Sequence, residues 1–208
     1  MENTPTPYKQ PNTHWLLRSY CSKPFLMPDL LEHMLKEVIL FIGGCRSGKS
    51  RSALRMGEEL SGNKKIFLAT CVPQDQEMKQ RVVRHKKERS DNWMTLEVPV
   101  QIPEAITDHT PNMDVMVIDC LTLWINNLLL ETDDPDKIIA HAHRLTRSLK
   151  KAQCTVILVS NEVGTGIVPE NRLSRLFRDL AGFVNQAVAE TADRVFWMVA
   201  GIPVQIKP

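Results

Sequence analysis

The chain has 208 residues, of which 43% are hydrophobic and 24% are charged, and its formal net charge is +2. This length is typical of one domain with a substantial core, and the composition is ordinary for a globular protein. The small net charge offers no broad electrostatic surface for nucleic acid, and no apolar run approaches the ~20 residues that a bilayer span requires. We therefore expect neither a nucleic-acid partner nor a membrane span.

The first 36 residues differ from the rest of the chain. They contain five prolines and show little hydrophobic periodicity. They also lack the apolar centre of a signal peptide. We therefore expect a flexible N-terminal extension over residues 1–36, without a catalytic role, followed by one domain over residues 37–208.

A phosphate-binding motif follows the first apolar run. Residues 38–42 read VILFI, which predicts a strand buried on both faces. The next eight residues, GGCRSGKS, match the pattern G-x-x-x-x-G-K-[ST], and residues 52–60 predict a helix. The alternative is an ordinary glycine-rich turn, but the strand before the motif and the helix after it favour a nucleotide site. The predicted nucleotide-binding residues here are Gly43, Gly44, Cys45, Arg46, Ser47, Gly48, Lys49 and Ser50.

The chemistry of such a loop explains its spacing. Backbone N–H groups of the loop and of the helix N-terminus surround a phosphate, which the helix dipole also attracts. Lys49 would reach the β- and γ-phosphates and act in catalysis, and the Ser50 hydroxyl would bind Mg²⁺.

Strands and helices alternate along the rest of the chain. Further strands are predicted at 66–69, 94–98, 115–118, 155–160, 194–200 and 203–207, the last at a sheet edge. Helices are predicted at 75–89, 102–108, 121–130, from Pro135 to about residue 152, and at 172–190. This alternation predicts an α/β fold of the P-loop NTPase type, with a mostly parallel sheet flanked by helices. Ligands of such sheets bind beyond the carboxyl ends of the strands.

Asp119 directly follows the buried strand predicted at 115–118. An acid at a strand end downstream of a P-loop is where a Mg²⁺-binding carboxylate usually lies. The alternative is a cap for the helix that starts near residue 121. The P-loop favours the metal or nucleotide role, so Asp119 and Ser50 are the predicted metal ligands.

His85 lies in a basic stretch of the helix predicted at 75–89. Met78, Val82 and His85 share one helix face, so a half-buried structural histidine is one interpretation. Arg81 and Arg89, one turn away on either side, favour another. Nearby cations disfavour the imidazolium, keep the ring neutral and nucleophilic, and attract phosphate.

The strand near residue 95 carries a candidate base-recognition residue. Trp93, Thr95 and Glu97 alternate, so their side chains share one face of this strand. The Glu97 carboxylate would accept hydrogen bonds from the N1 and N2 donors of guanine. The alternative is a surface strand with one packed tryptophan.

A glycine-rich loop precedes the long helix predicted at 172–190. This helix bears Arg172, Arg175 and Arg178 at i, i+3 and i+6, which suits an anionic substrate or a closing lid. The alternative, which is compatible with the first, is an amphipathic helix with a core side formed by Leu173, Leu176, Phe177 and Leu180.

Together these segments resemble the bifunctional adenosylcobinamide kinase / adenosylcobinamide-phosphate guanylyltransferase family of cobalamin biosynthesis. The resemblance covers residues 39–207, and the long segment at 161–186 is more specific than the P-loop. The segments that carry it are GGCRSGKS at 43–50, LAT at 68–70, RVVRHKKER at 81–89, WMTLE at 93–97, Asp119 and NEVGTGIVPENRLSRLFRDLAGFVNQ at 161–186.

The resemblance implies two reactions and a set of site residues. ATP or GTP phosphorylates the aminopropanol hydroxyl of adenosylcobinamide; GTP then guanylylates a histidine, and the GMP passes to the new phosphate to give adenosyl-GDP-cobinamide. The guanylylated histidine matches His85. The family's nucleotide contacts match the P-loop together with Leu68, Ala69, Thr70, Lys86, Lys87, Glu88, Arg89, Glu97 and Asp119. We also expect Mg²⁺ as cofactor and a homo-oligomer.

Three other functions remain open at this level. One is a single-function P-loop kinase for another small hydroxyl substrate, with a structural His85. A regulatory GTP-binding switch usually reads guanine through N-K-x-D, and residues 63–66, NKKI, lack the aspartate. The third is a nucleotide-binding subunit without catalysis.

The five scattered cysteines, none in a C-x-x-C pair, favour a reducing cytoplasm over a disulfide or zinc framework.

Overall fold

The computed structural model describes residues 36–72, 76 and 92–208. The extension predicted at 1–36 lies almost entirely outside the described residues. The same holds for most of the helix predicted at 75–89, including His85 and residues 86–89. These expectations stay predictions.

In the described residues, seven strands form one sheet. The strands are β1 Val38–Gly43, β2 Lys65–Ala69, β3 Trp93–Glu97, β4 Val115–Asp119, β5 Thr155–Asn161, β6 Arg194–Val199 and β7 Ile202–Lys207. Their order is β3-β2-β4-β5-β1-β6-β7, with β7 antiparallel to β6 and all other neighbours parallel. All six residues of β1 are buried, as the continuous apolar run predicted. The α/β fold with a mostly parallel sheet is confirmed.

Five α-helices lie in the described residues, and two of them begin at a side-chain cap. The helices are α1 Lys49–Glu59, α2 Ile102–His109, α3 Leu121–Glu131, α4 Pro135–Lys150 and α5 Arg172–Thr191. The Asp134 carboxylate accepts a hydrogen bond from the backbone N–H of Asp136 at the start of α4. The Asn171 side chain accepts from two backbone N–H groups at the start of α5. These local caps explain why the predicted starts of both helices are confirmed.

Side-chain alternation along the strands separates two apolar layers. On one face, Ala53 and Leu54 of α1 pack against Ile39 and Phe41 of β1. On the other face, Leu40 and its neighbours pack against the apolar sides of α2, α3, α4 and α5. Among the described helices, α1 is the one that packs against the first of these two faces. The P-loop at the start of α1 therefore opens on this face of the sheet.

The predicted core side of α5 is correct only in part. Leu180 is buried, and Leu176 and Phe177 are partly buried against the core, but Leu173 is 57% exposed. The prediction that Leu173 packs in the core is wrong, because Leu180 is the first buried residue of the helix. Helical spacing defines a face, but it does not define how far along the helix the core extends.

None of the described helices has both the length and the apolar composition needed to cross a bilayer.

Candidate nucleotide-binding site

The loop between β1 and α1 has the backbone geometry that its glycines predict. A Cβ atom at Gly43 would lie 2.6 Å from the carbonyl oxygen of Met198, so a side chain here would force the loop away from β6. Gly48 has a φ of 91°, a left-handed conformation that favours glycine. The backbone N–H of Gly201 donates to the carbonyl of Ser47 at 3.1 Å. The loop is thereby anchored to the turn between β6 and β7.

Lys49 lies inside this loop, at the first position of α1. Its side chain is only 6% exposed, and its ammonium group donates to the carbonyl of Gly44 at 2.6 Å and to the hydroxyl of Ser47 at 3.3 Å. Burial lowers the pKa of Lys49, while electrostatic interactions with Cys120 and Asp119 oppose this shift. The structure thus brings Lys49 and Asp119, which are 70 positions apart in the chain, close enough for their charges to interact.

Two carboxylates lie in one row across neighbouring strands. Ala69 of β2 is in register with both Glu97 of β3 and Asp119 of β4. Trp93 lies four positions before Glu97, and Val117 lies two positions before Asp119, so each shares a strand face with its acid. Both pack in the apolar layer on the α1 side. Glu97 and Asp119 therefore lie on the P-loop face of the sheet, roughly 10 Å apart, since parallel strands are about 4.8 Å apart. The small Ala69 side chain lies between them, which leaves room for a ligand.

Helix α3 does not begin at Asp119. Its N-cap residue is Cys120, and no side chain caps the helix. Burial and the nearby Asp119 raise the pKa of the Cys120 thiol to about 11, so this thiol stays protonated and is a poor nucleophile at neutral pH. The structure therefore does not support the capping alternative for Asp119, and its role as a metal or nucleotide ligand stays a prediction.

Thr70 fixes the chain beside Asp119. It is completely buried, its hydroxyl donates to the Cys120 carbonyl at 2.9 Å, and the Cys120 backbone N–H donates to this hydroxyl at 2.8 Å. The Thr70 backbone N–H also donates to the Asp119 carbonyl at 3.1 Å. The hydroxyl of Thr70 thus positions the end of β4, and its predicted contact with a nucleotide stays a prediction.

The remaining predicted residues differ in where the structure places them. Ser50 is half-buried in the first turn of α1, whereas Gly44, Cys45 and Arg46 are exposed. Leu68 is fully buried in the apolar layer on the opposite face of the sheet, so its side chain lies away from Asp119. His85 and residues 86–89 lie outside the described residues, so their place in this site stays a prediction.

A polar network at the ends of β4 and β5 was not predicted. The Asn161 side chain donates to the Thr122 hydroxyl at 3.0 Å, and the Asn185 side chain donates to the Asn161 carbonyl at 3.1 Å. The Ser160 hydroxyl donates to Asn185 at 2.5 Å. Asn185 is 5% exposed. Its position on the apolar side of α5 is the one feature of the sequence that could have indicated this network, because a buried amide needs hydrogen-bond partners. The network joins α3, β5 and α5 at the edge of the sheet that carries the P-loop.

The three arginines of α5 do not form one charged row. Arg175 donates to the carbonyls of Pro169 and Glu170 and so holds the preceding loop against the helix. Arg172 is exposed, and Arg178 lies 3.6 Å from Asp179. Of the three arginines predicted to form a lid or an anion site, only Arg178 remains a candidate for binding an anion. Arg175 instead holds the preceding loop.

A glycine-rich loop between a buried parallel strand and a helix, with a lysine inside it and a carboxylate two strands away, defines a P-loop nucleotide-binding protein. The family model for cobinamide kinase / cobinamide phosphate guanyltransferase matches residues 39–206. The chain belongs to this family, and the resemblance found in the sequence is confirmed.

Two curated relatives match nearly over their full length. The bifunctional adenosylcobalamin biosynthesis protein CobP of Pseudomonas aeruginosa is 41% identical over 168 residues, which are 81% of this chain and 96% of the relative. The protein of the same description from Escherichia coli, CobU, is 40% identical over 185 residues, 82% of this chain and 99% of the relative. Among solved structures, a KaiC-like protein from Pyrococcus horikoshii has a TM-score of 0.45 at 16% identity, over 77% of this chain and 70% of that chain.

Proposed function

We propose that this protein phosphorylates the aminopropanol hydroxyl of adenosylcobinamide with ATP or GTP. It then transfers GMP from GTP to the new phosphate, which gives adenosyl-GDP-cobinamide. The observation that carries this proposal is the family match over residues 39–206, which includes both the P-loop and His85. The curated relatives at 41% and 40% identity, both described as bifunctional, support the two-step activity over a single-function kinase.

The P-loop performs the first step by positioning and charge. Phosphoryl transfer requires little covalent chemistry from the protein, so orientation and electrostatic stabilisation dominate its catalysis. The free N–H groups at the start of α1 and the ammonium group of Lys49 point into the loop that would hold the triphosphate. Burial lowers the pKa of Lys49, and a bound anionic phosphate would act in the opposite direction and favour the charged ammonium form.

Ser50 and Asp119 are the proposed protein ligands of Mg²⁺. A hydroxyl and a carboxylate are hard oxygen ligands, and Mg²⁺ is usually bound by one or two carboxylates together with substrate phosphates. Among the described residues, no group of three His, Cys, Asp or Glu could hold a metal ion by itself. This donor set fits an ion that arrives with the nucleotide. When bound, it would neutralise charge on the phosphates.

His85 is the proposed nucleophile of the second step. A ring nitrogen of His85 attacks the α-phosphorus of GTP, a nitrogen–phosphorus bond forms, and pyrophosphate leaves as the bond to the α-phosphorus breaks. A phosphate oxygen of cobinamide phosphate then attacks the same phosphorus and releases His85. The cations at Lys86, Lys87 and Arg89 would attract the triphosphate, and Glu97 would bind guanine. The resemblance supports these assignments.

Three further expectations stay predictions. A homo-oligomer and a cytoplasmic location are part of the proposal, the latter supported by five cysteines without a C-x-x-C pair. The net charge of +2 supports the expectation that nucleic acid is not a partner.

Product analysis tests the proposed function directly. With adenosylcobinamide and ATP alone, mass spectrometry should detect only the phosphorylated corrinoid. With GTP added, adenosyl-GDP-cobinamide should appear and pyrophosphate should be released. A reaction that stops at the phosphate in the presence of GTP would favour the single-function kinase, and no product from either nucleotide would favour a subunit without catalysis.

We expect Asp119→Asn to reduce Mg²⁺-dependent phosphorylation by ~10²-fold and to increase the Mg²⁺ concentration needed for half-maximal rate, because one ligand charge is lost. Thermal stability should change little, since Cys120 and not Asp119 occupies the N-cap of α3. Asp108→Asn, at an exposed position of α2, is the matched control and should behave like the wild type. Unchanged activity with a lower melting temperature would show that Asp119 is structural.

A further inference from the structure

A groove of about 590 Å³ lies between the loop after β5 and the outer side of α5. Its volume is within the usual range for small-molecule sites, which is about 300–1,000 Å³. The lining is mixed, with loop backbone, an aliphatic side chain, an aromatic ring, a guanidinium group, a carboxylate and a carboxamide. The residues that matter here are Gly164, Gly166, Arg178, Gly182, Phe183 and Gln186.

The groove begins beside the phosphate loop. The backbone N–H of Glu162 donates to the carbonyl of Gly43, the first P-loop residue, at 2.9 Å. The Glu162 carboxylate accepts a hydrogen bond from the backbone N–H of Gly164, which lines the groove. Two residues of extended chain span at most roughly 7 Å. The Gly164 end of the groove therefore lies at the same edge of the sheet as the P-loop, although α5 and α1 pack on opposite faces of the sheet.

Gly182 stands in the middle of the 20-residue helix α5. Glycine in a helix interior is destabilising relative to alanine. In α1, Gly57 has a packing reason, because its Cβ would lie 2.9 Å from the ring of Trp93. At Gly182, by contrast, a Cβ would meet no atom within 4 Å in the described part of the chain. Packing among the described residues therefore does not require glycine at 182, and the space above it is open to a ligand.

We propose that this groove binds the corrinoid body of the acceptor substrate, a flat and largely apolar macrocycle edged with carboxamide side chains. This inference rests on the proposed function. The ring of Phe183 packs against the macrocycle, and Gln186 and Arg178 bind its carboxamides, which both donate and accept hydrogen bonds. Arg178 is partly buried and lies 3.6 Å from the mostly exposed carboxylate of Asp179, which also lines the groove. A guanidinium group has five N–H donors, so donors of Arg178 other than the one nearest Asp179 can bind a ligand.

The test uses steady-state kinetics of cobinamide phosphorylation by variants that fill the groove. For Gly182→Leu, the KM for cobinamide should rise by about tenfold or more, while the KM for ATP and the kcat at saturating cobinamide stay near wild type. Gly182→Ala should raise the same KM by a smaller factor and increase the melting temperature. A merely structural role for Gly182 predicts a lower melting temperature in both variants instead.

Arg178→Gln should also raise the KM for cobinamide, whereas the exposed Arg172→Gln is the matched control and should not. Three outcomes would overturn the inference while the proposed function stands, because in each of them the wild type phosphorylates cobinamide. One is an unchanged KM for cobinamide in Gly182→Leu. Another is an equal loss of ATP affinity. The third is a changed elution volume in size-exclusion chromatography with unaltered kinetics, which would assign the groove to contact between copies of the chain.

Discussion

Lys49→Ala is expected to lower the rate of cobinamide phosphorylation by ~10³-fold or more, equivalent to about 4 kcal/mol in the activation barrier. The Lys49 ammonium lies inside the P-loop, and in the proposed reaction it would neutralise charge that develops on the transferred phosphoryl group. The fold should remain intact. The Gly44 carbonyl, which loses its donor, belongs to an exposed residue and can bond to water instead.

The rate is measured by quantifying cobinamide phosphate, and stability by thermal unfolding of the same samples. Arg55→Ala is the matched control, because it also removes a cation from α1, but at an exposed position in a surface pair with Glu59. Its rate should stay within a factor of about two of the wild type, since the contribution of such pairs is small. Near-normal phosphorylation by Lys49→Ala would contradict the assignment of the kinase site to this loop.

His85→Asn is expected to abolish covalent labelling by GTP and the guanylyl transfer, and to keep at least part of the kinase step. Asparagine preserves polarity and approximate size but cannot attack phosphorus. Label at the α-phosphate of GTP should stay on the wild-type protein, and label at the γ-phosphate should not. The bond would be a phosphoramidate, so it should be labile in acid and stable in base. Intact-mass measurement after incubation with GTP should show one added GMP in the wild type only.

His109→Asn is the control for this experiment. His109 ends α2 and precedes β4, at the edge of the sheet opposite to the P-loop, so its replacement should change neither labelling nor transfer. Retained GMP on His85→Asn would identify another nucleophile and refute the covalent step through His85. Loss of both activities in a folded variant would show that His85 serves the nucleotide pocket, which would refute the division of the two steps between Lys49 and His85.

Much of this fold could be predicted from the sequence, because many of its features depend on residues that are close together in the chain. The apolar run of β1 and the left-handed backbone at Gly48 depend on residues close together in the chain, so they could be predicted from a few positions. Pro135 and the helical periodicity after it are equally local, and α4 begins where they predicted. The long motif at 161–186 identified the family, which the comparisons confirmed.

The sequence by itself thus determined the class of fold, the phosphate loop and the family. Only the tertiary structure decided that β5 lies between β1 and β4, which sets the distance from Lys49 to Asp119. It also decided that the Leu68 side chain belongs to the core, that Leu173 is exposed, and that no atom of the described residues lies within 4 Å of a Cβ at Gly182. The physical reason is that strand order and the extent of a core depend on contacts between distant segments, whereas turns, caps and periodicity depend on neighbouring residues.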